Sequence, residues 1–268
     1  MPALGSPATP LARDALGTKV PQITVLFWTI KVLTTGMGEA ASDHLVGTFE
    51  PVLVVLVTAV LFGAALLVQL RAPRYVPWKY WLVVAMVGIF GTMVADVAHV
   101  VAGVPYLLSS VAFAAALAAL LLSWRRVEGT ISIHSITSPR PELFYWATVV
   151  ATFALGTAVG DLTAQTLSLG YLGSAVLFGI VIALPALAFR ARLLGAVAAF
   201  WASYIVTRPL GASLADWLGV DATRGGLALG TGAVALVAAG ITLALVVLAS
   251  RGPAAPRRPI VAPARAAE

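Results

Sequence analysis

The sequence predicts an all-α membrane protein of eight transmembrane helices, built from four parallel two-helix repeats. Three observations carry this. The chain of 268 residues is 60% apolar and 10% charged, about half the charged share of a soluble domain. Apolar stretches recur along it at roughly the 20 residues needed to cross a hydrocarbon core about 30 Å thick. One motif, Trp, nine residues, Gly, four residues, Asp, occurs four times.

The composition excludes several classes. A net charge of +6 would suit nucleic acid if it formed a patch, but the basic residues sit in short loops and tails between apolar stretches. No nucleic-acid partner is expected, and the lipid bilayer is. With no cysteine, disulfides, thiolate ligands and thiol nucleophiles are excluded.

Residues 1–21 read as a cytoplasmic N-terminal segment; residues 1–18 lack a signal-peptide core, so the first span, which carries Lys31 and Glu39, is expected to be retained. The spans are expected at 22–46, 50–70, 77–102, 105–124, 143–168, 170–189, 194–218 and 226–250. They group into repeats at 22–70, 77–124, 143–189 and 194–250. The connector 125–142 contains the alternation Ile131 to Ile136, which reads as a short interfacial strand or hairpin. The Pro-, Ala- and Arg-rich tail 251–268 reads as disordered. Basic residues cluster on one side of the spans: Arg13 and Lys19, then Arg71, Arg74 and Lys79, then Arg125, Arg126 and Arg140, then Arg190 and Arg192, then the tail. The opposite loops offer only Arg224, which places both termini in the cytoplasm.

The four motif copies are Trp28, Gly38, Asp43; Trp81, Gly91, Asp96; Trp146, Gly156, Asp161; and Trp201, Gly211, Asp216. Each Trp follows a basic loop and reads as an interface anchor. Each Gly has a small residue four positions on (Ser42, Ala95, Gly160, Ala215), a face that lets helices approach closely. At about 1.5 Å per residue each Asp lies some 22 Å beyond its Trp, so the four share one depth. Even-numbered spans such as Val52 to Val68 are almost purely aliphatic. Odd helices are therefore expected inside and even helices facing lipid, with pseudo-fourfold or nested twofold symmetry about the membrane normal.

Charge inside a span is costly unless paired or placed along a polar path. Lys31 and Arg208 are the expected charge partners, but Glu39, Asp43, Asp96, Asp161 and Asp216 outnumber them. Protons, cations or water must balance the remainder. Clustered carboxylates supply oxygen ligands for a hard divalent cation, so these five acids are the candidate metal or transport site, with His44 and His99 as further ion ligands. The absence of cysteine and the four methionines argue against a copper(I) path. No catalytic residue is identified: the Gly160-Asp161 dipeptide is too slight a resemblance to aspartyl protease chemistry.

The runs FWTIKVLTTGMGEAASDHL (Phe27 to Leu45) and YWATVVATFALGTAVGDLTAQTL (Tyr145 to Leu167) resemble a bacterial membrane-protein family of four tandem two-span repeats with a marked Trp, a repeat of unknown function. The resemblance covers about residues 19–250. It implies the architecture and a bacterial inner membrane, and supplies no activity. The acids themselves lead to the expectation of a transporter or exporter of a small cation, a divalent metal such as manganese being the first choice, with proton coupling through the same acids. A cation channel with a carboxylate ring, or a non-transporting sensor or assembly protein, is the alternative. No cofactor is expected beyond a metal cation as substrate, and the oligomeric state is left open.

Overall fold

The computed structural model describes residues 17–251, and its regular structure is entirely helical. The helices are α1 (Val25–Thr48), α2 (Pro51–Leu70), α3 (Pro77–Asp96), α4 (Tyr106–Glu128), α5 (Pro139–Asp161), α6 (Gly170–Val181, resuming as Ala183–Arg190), α7 (Ala196–Gly219) and α8 (Thr231–Ser250). Starts follow local chemistry. The Thr24 hydroxyl accepts from Phe27 N at 3.2 Å, the Glu50 carboxylate accepts from Leu53 N at 2.7 Å, and prolines open α2, α3 and α5. The break in α6 lies just ahead of Pro185, whose missing N–H leaves the Val181 carbonyl without its helical donor.

Six of these helices are long and apolar enough to cross a membrane, while α1 and α7 match them in length and fall short on composition. The division between inside and outside is sharp. In α2, α4, α6 and α8 only 17%, 22%, 22% and 11% of the most apolar stretch is buried, against 50% in α3 and 67% in α5. The odd helices are the core, and the even helices expose their aliphatic side chains.

The inner helices form a closed ring in which α1 contacts α3, α3 contacts α5, α5 contacts α7, and α7 contacts α1. Each even helix lies mainly along the inner helix of the following repeat: α2 on α3, α4 on α5, α6 on α7, and α8 back on α1. The repeat in sequence is therefore not the packing unit in space.

The motif glycines explain the ring. A Cβ on Gly38 would lie 2.7 Å from the Gly88 backbone, one on Gly91 2.5 Å from Phe153 Cβ, and one on Gly211 2.6 Å from Thr35 Cγ2. At Gly156 the added atom would collide with Arg208 Cβ. Each glycine meets the same position of the next inner helix, seven residues after its Trp (Thr35, Gly88, Phe153, Arg208). The motif spacing thus encodes one helix crossing used four times.

The tryptophans depart from their expected role as interface anchors. Trp81, Trp146 and Trp201 are buried and Trp28 is partly so. The aromatic residue before each Trp packs on the Trp of the next repeat: Phe27 on Trp81 at 5.8 Å between centroids, Tyr80 on Trp146 at 5.4 Å, Tyr145 on Trp201 at 6.1 Å, and Phe200 on Trp28 at 5.8 Å. The rings form a continuous tier across the bundle. Ring-on-ring contact with a neighbouring helix gives each indole more buried area than a headgroup boundary would.

The connector also departs from expectation. Residues Ile133–Ser135 form a 3-10 turn instead of a strand, with Ile133 and Ile136 buried against the aromatic tier. Their side chains plug the end of the ring, so the alternation reports burial without sheet pairing. The expected disordered tail and most of the N-terminal segment lie outside the described residues.

Candidate functional site

All five acids expected within spans line one cavity of about 520 Å³, at the end of the ring away from the aromatic tier. Asp43, Asp96, Asp161 and Asp216 come from α1, α3, α5 and α7, and Glu39 enters from one turn below Asp43. The stripe reads as tiers along the ring. Eleven residues after the motif Trp stand Glu39, Thr92, Thr157 and Ala212, and four residues later the aspartates.

The lower tier is a floor. Thr92 donates to Glu39 Oε2 at 2.9 Å and Thr157 donates to the same oxygen at 3.0 Å. One carboxylate thus joins three inner helices, while its other oxygen accepts from no described donor. The aspartate tier is less tied. Asp161 Oδ1 accepts from Gln165 at 2.9 Å, whereas Asp216, only 8% exposed, meets only the Asp43 carboxyl within hydrogen-bond reach among the described residues.

Below the floor lie the two cations. Lys31 and Arg208 are fully buried, yet neither reaches an acid. The ion pairs among the described residues are Lys19–Glu142 and Arg140–Glu128. The expected charge pairing is corrected by a one-to-two-turn offset along the helices: Lys31 lies two turns from Glu39, and Arg208 two turns from Asp216. Both cations take aromatic neighbours instead. Lys31 Nζ is 3.8 Å from the Tyr204 ring centroid, and the Arg208 guanidinium carbon is 2.8 Å from that of Phe153. Arg208 Nη1 also donates to Thr35 Oγ1 at 2.9 Å. Lys31 Nζ and Arg208 Nε and Nη2 find no acceptor.

The far end is closed twice over. Beyond the cation tier stands the aromatic tier, and beyond that a buried polar knot in which Lys19 pairs with Glu142 and donates to Leu70 O at 2.9 Å. Gln69 donates to Glu142 Oε1 at 2.8 Å. Lys19 has a structural place that its reading as a topology signal did not include.

The cavity mouth was not legible from the motif. Tyr106, Gln165, Tyr171 and the loop residues Val220, Asp221, Arg224 and Gly230 complete the wall. Arg224 donates to the Tyr171 hydroxyl at 2.8 Å. Partial burial works against its charge, but the Tyr171 phenol and the Asp216 and Asp43 carboxylates outweigh this and raise its pKa above the usual arginine value. Single π-helical turns, Val97–Val101 and Leu162–Thr166, begin directly after Asp96 and Asp161. Such turns interrupt helices frequently at functional positions. Gln165, one turn after Asp161, was the one wall residue that spacing could have flagged.

The histidines stand apart from the acids. His44 is exposed and lies against Gly232 of α8, and neither His44 nor His99 lines the cavity. His99 is occupied locally, with Nδ1 2.8 Å from Val104 O and Nε2 3.1 Å from Ser109 Oγ. Their expected role as ion ligands is corrected by these contacts. Among the described residues no three His, Asp or Glu side chains are grouped closely enough to ligate one metal ion. The acids expected to form a metal site instead line the wall of a wide chamber.

A protein-family model described as Repeat of Unknown Function (DUF347) matches the chain four times, over residues 26–75, 79–130, 144–192 and 199–252. No curated protein and no solved structure matches it.

Proposed function

Because the chain belongs to the DUF347 repeat family, whose name carries no activity, we propose its function from the site alone: it is a multi-pass membrane carrier for a small cation, with the acid-lined cavity as its binding chamber. The observation that carries this proposal is the gathering of Glu39, Asp43, Asp96, Asp161 and Asp216 in one cavity without a single ion pair to Lys31 or Arg208. Buried acids left unpaired by their own protein are costly. A cationic guest, or protons exchanged for it, balances them.

Six helices long and apolar enough to cross a bilayer, the exposed aliphatic outer helices and the repeated inner ring support a membrane setting with pseudo-fourfold organisation. In this proposal the even helices face lipid, the basic loops lie in the cytoplasm of a bacterial inner membrane, and the cavity opens to the opposite side. A ring of carboxylates would also suit a channel, but the aromatic and cation tiers close the far end, which favours a carrier that alternates its opening. A bare divalent metal such as manganese is poorly matched, since no three acidic or histidine side chains converge. The chamber suits a cation that brings its own shell or carries its charge on an organic frame.

Flux into proteoliposomes tests this with a panel of metal and organic cations, comparing the parent chain with Asp43→Asn and Asp161→Asn. Uptake above empty vesicles that falls at least about tenfold in both variants, equivalent to about 1.4 kcal/mol, is expected. No flux of any cation, or variants as active as the parent, would refute the proposal.

A further inference from the structure

We propose that the cavity binds a linear aliphatic polyamine, an inference that rests on the cation-carrier proposal and names the substrate class. A hard metal ion needs several oxygens converging within about 2.0–2.6 Å of one point. The described acids offer no such group. They line instead a chamber of about 520 Å³, within the roughly 300–1,000 Å³ typical of small-molecule sites. Five carboxyls lining a chamber of that size match a guest with several ammonium groups.

The rest of the wall supports the same choice. Val46 and Val220 are aliphatic, and Tyr106 and Tyr171 are aromatic. These contribute nothing to a hydrated metal, but they match methylene segments and the faces on which ammonium groups rest. Two carboxyls inside are only partly partnered. Asp216 is 8% exposed, lines the cavity and has no hydrogen-bonding neighbour among the described residues beyond the Asp43 carboxyl. Glu39 takes both threonine hydroxyls on Oε2 and leaves Oε1 without a described donor. An ammonium group donates three hydrogen bonds and accepts none, which complements such oxygens. At the rim Arg224, held by Tyr171, is the one basic residue lining the cavity among the described residues. A flexible chain with spaced charges fits beside it more readily than a compact ion of the same total charge.

Titration calorimetry on the intact purified protein tests this with three probes: the triamine spermidine, manganese chloride, and hexaamminecobalt(III). The last matches the charge of spermidine but has no methylene chain. The expected result is spermidine binding at least about tenfold tighter than either metal probe. Asp216→Asn should weaken spermidine about tenfold or more, and Tyr171→Leu should weaken spermidine more than hexaamminecobalt. Because Arg224 also contacts Tyr171, Asp161→Asn provides a second, more exposed variant that should likewise weaken spermidine. Manganese or hexaamminecobalt binding as tightly as spermidine would overturn the polyamine assignment while leaving the cation carrier standing. Binding of none of the three would overturn both. Spermidine binding unchanged by Asp216→Asn and Asp161→Asn would place the amine outside this cavity and overturn the assignment.

Discussion

Replacing Lys31 with methionine should make the protein more stable. The ammonium is fully buried, has no hydrogen-bond acceptor, and rests 3.8 Å from the Tyr204 ring centroid. A lysine within a span costs up to about 2.5–3.5 kcal/mol on the insertion scale. A desolvated cation–π contact returns about 2 kcal/mol. Methionine keeps the length and the apolar contacts and removes both contributions, for a gain of about 0.5–1.5 kcal/mol. In a domain of this size that raises Tm by about 1–6 °C. Differential scanning fluorimetry in detergent micelles reads this directly. The double variant Lys31→Met with Glu39→Gln should show the two single effects added, since the residues share no contact. A fall in Tm of more than about 4 °C for Lys31→Met would refute the reasoning. It would mean that the ammonium serves a carboxylate and that removing it strands a buried anion.

The ring crossings give a second prediction. A Cβ on Gly38 lies 2.7 Å from the Gly88 backbone, whereas carbon atoms rest at about 3.5–4.0 Å. Gly38→Ala must therefore part α1 and α3 by about 1 Å and should cost about 1–3 kcal/mol. Gly63→Ala, with nothing within 4 Å, should leave Tm unchanged or slightly raised. Equal Tm values for the two variants would contradict the crossing. At the closed end, Glu142→Gln leaves Lys19 buried without its anion. It should cost about 3–5 kcal/mol in chemical denaturation, and a loss below about 1 kcal/mol would show the pair to be solvated. Finally, a variant keeping only Trp146 should be shielded from both acrylamide and brominated lipid, while one keeping only the exposed Trp78 should be quenched. Strong bromolipid quenching of Trp146 would restore the interface-anchor role.

The sequence carried the architecture because long apolar stretches mark the helices and because Trp, Gly and Asp recur at fixed spacing. Gly38, Gly91, Gly156 and Gly211 were legible as packing residues, since only a missing side chain permits such approach. The four aspartates were legible as one tier, since equal spacing from the Trp fixes equal depth, with Glu39 one turn below Asp43 on the same helix face. Their relation to Lys31 and Arg208 was not legible. Counting charges does not reveal that a two-turn offset separates cation from carboxylate, or that Phe153 and Tyr204 take the place of an anion. Tyr106, Tyr171 and Arg224 were equally hidden, because they reach the cavity from the outer helices α4 and α6 and from the α7–α8 loop, which the motif does not include. The Trp positions misled for a related reason. Hydropathy places an indole at a depth, and only the neighbouring helix decides whether it points outward.

The packing of α8 along α1 bears on how the protein is made. Each outer helix is donated forward to the next inner helix, an arrangement equivalent to domain exchange around a circle. During synthesis α3, α5 and α7 each find a cover made just before them, but α1 must wait for Thr231–Ser250, the final helix of the bundle. The earliest-made of the eight described helices, with Lys31, Glu39 and Asp43 on it, is thus the last to be enclosed. Assembly ends with a clasp, and a chain stopped short of α8 leaves the helix of Lys31, Glu39 and Asp43 uncovered.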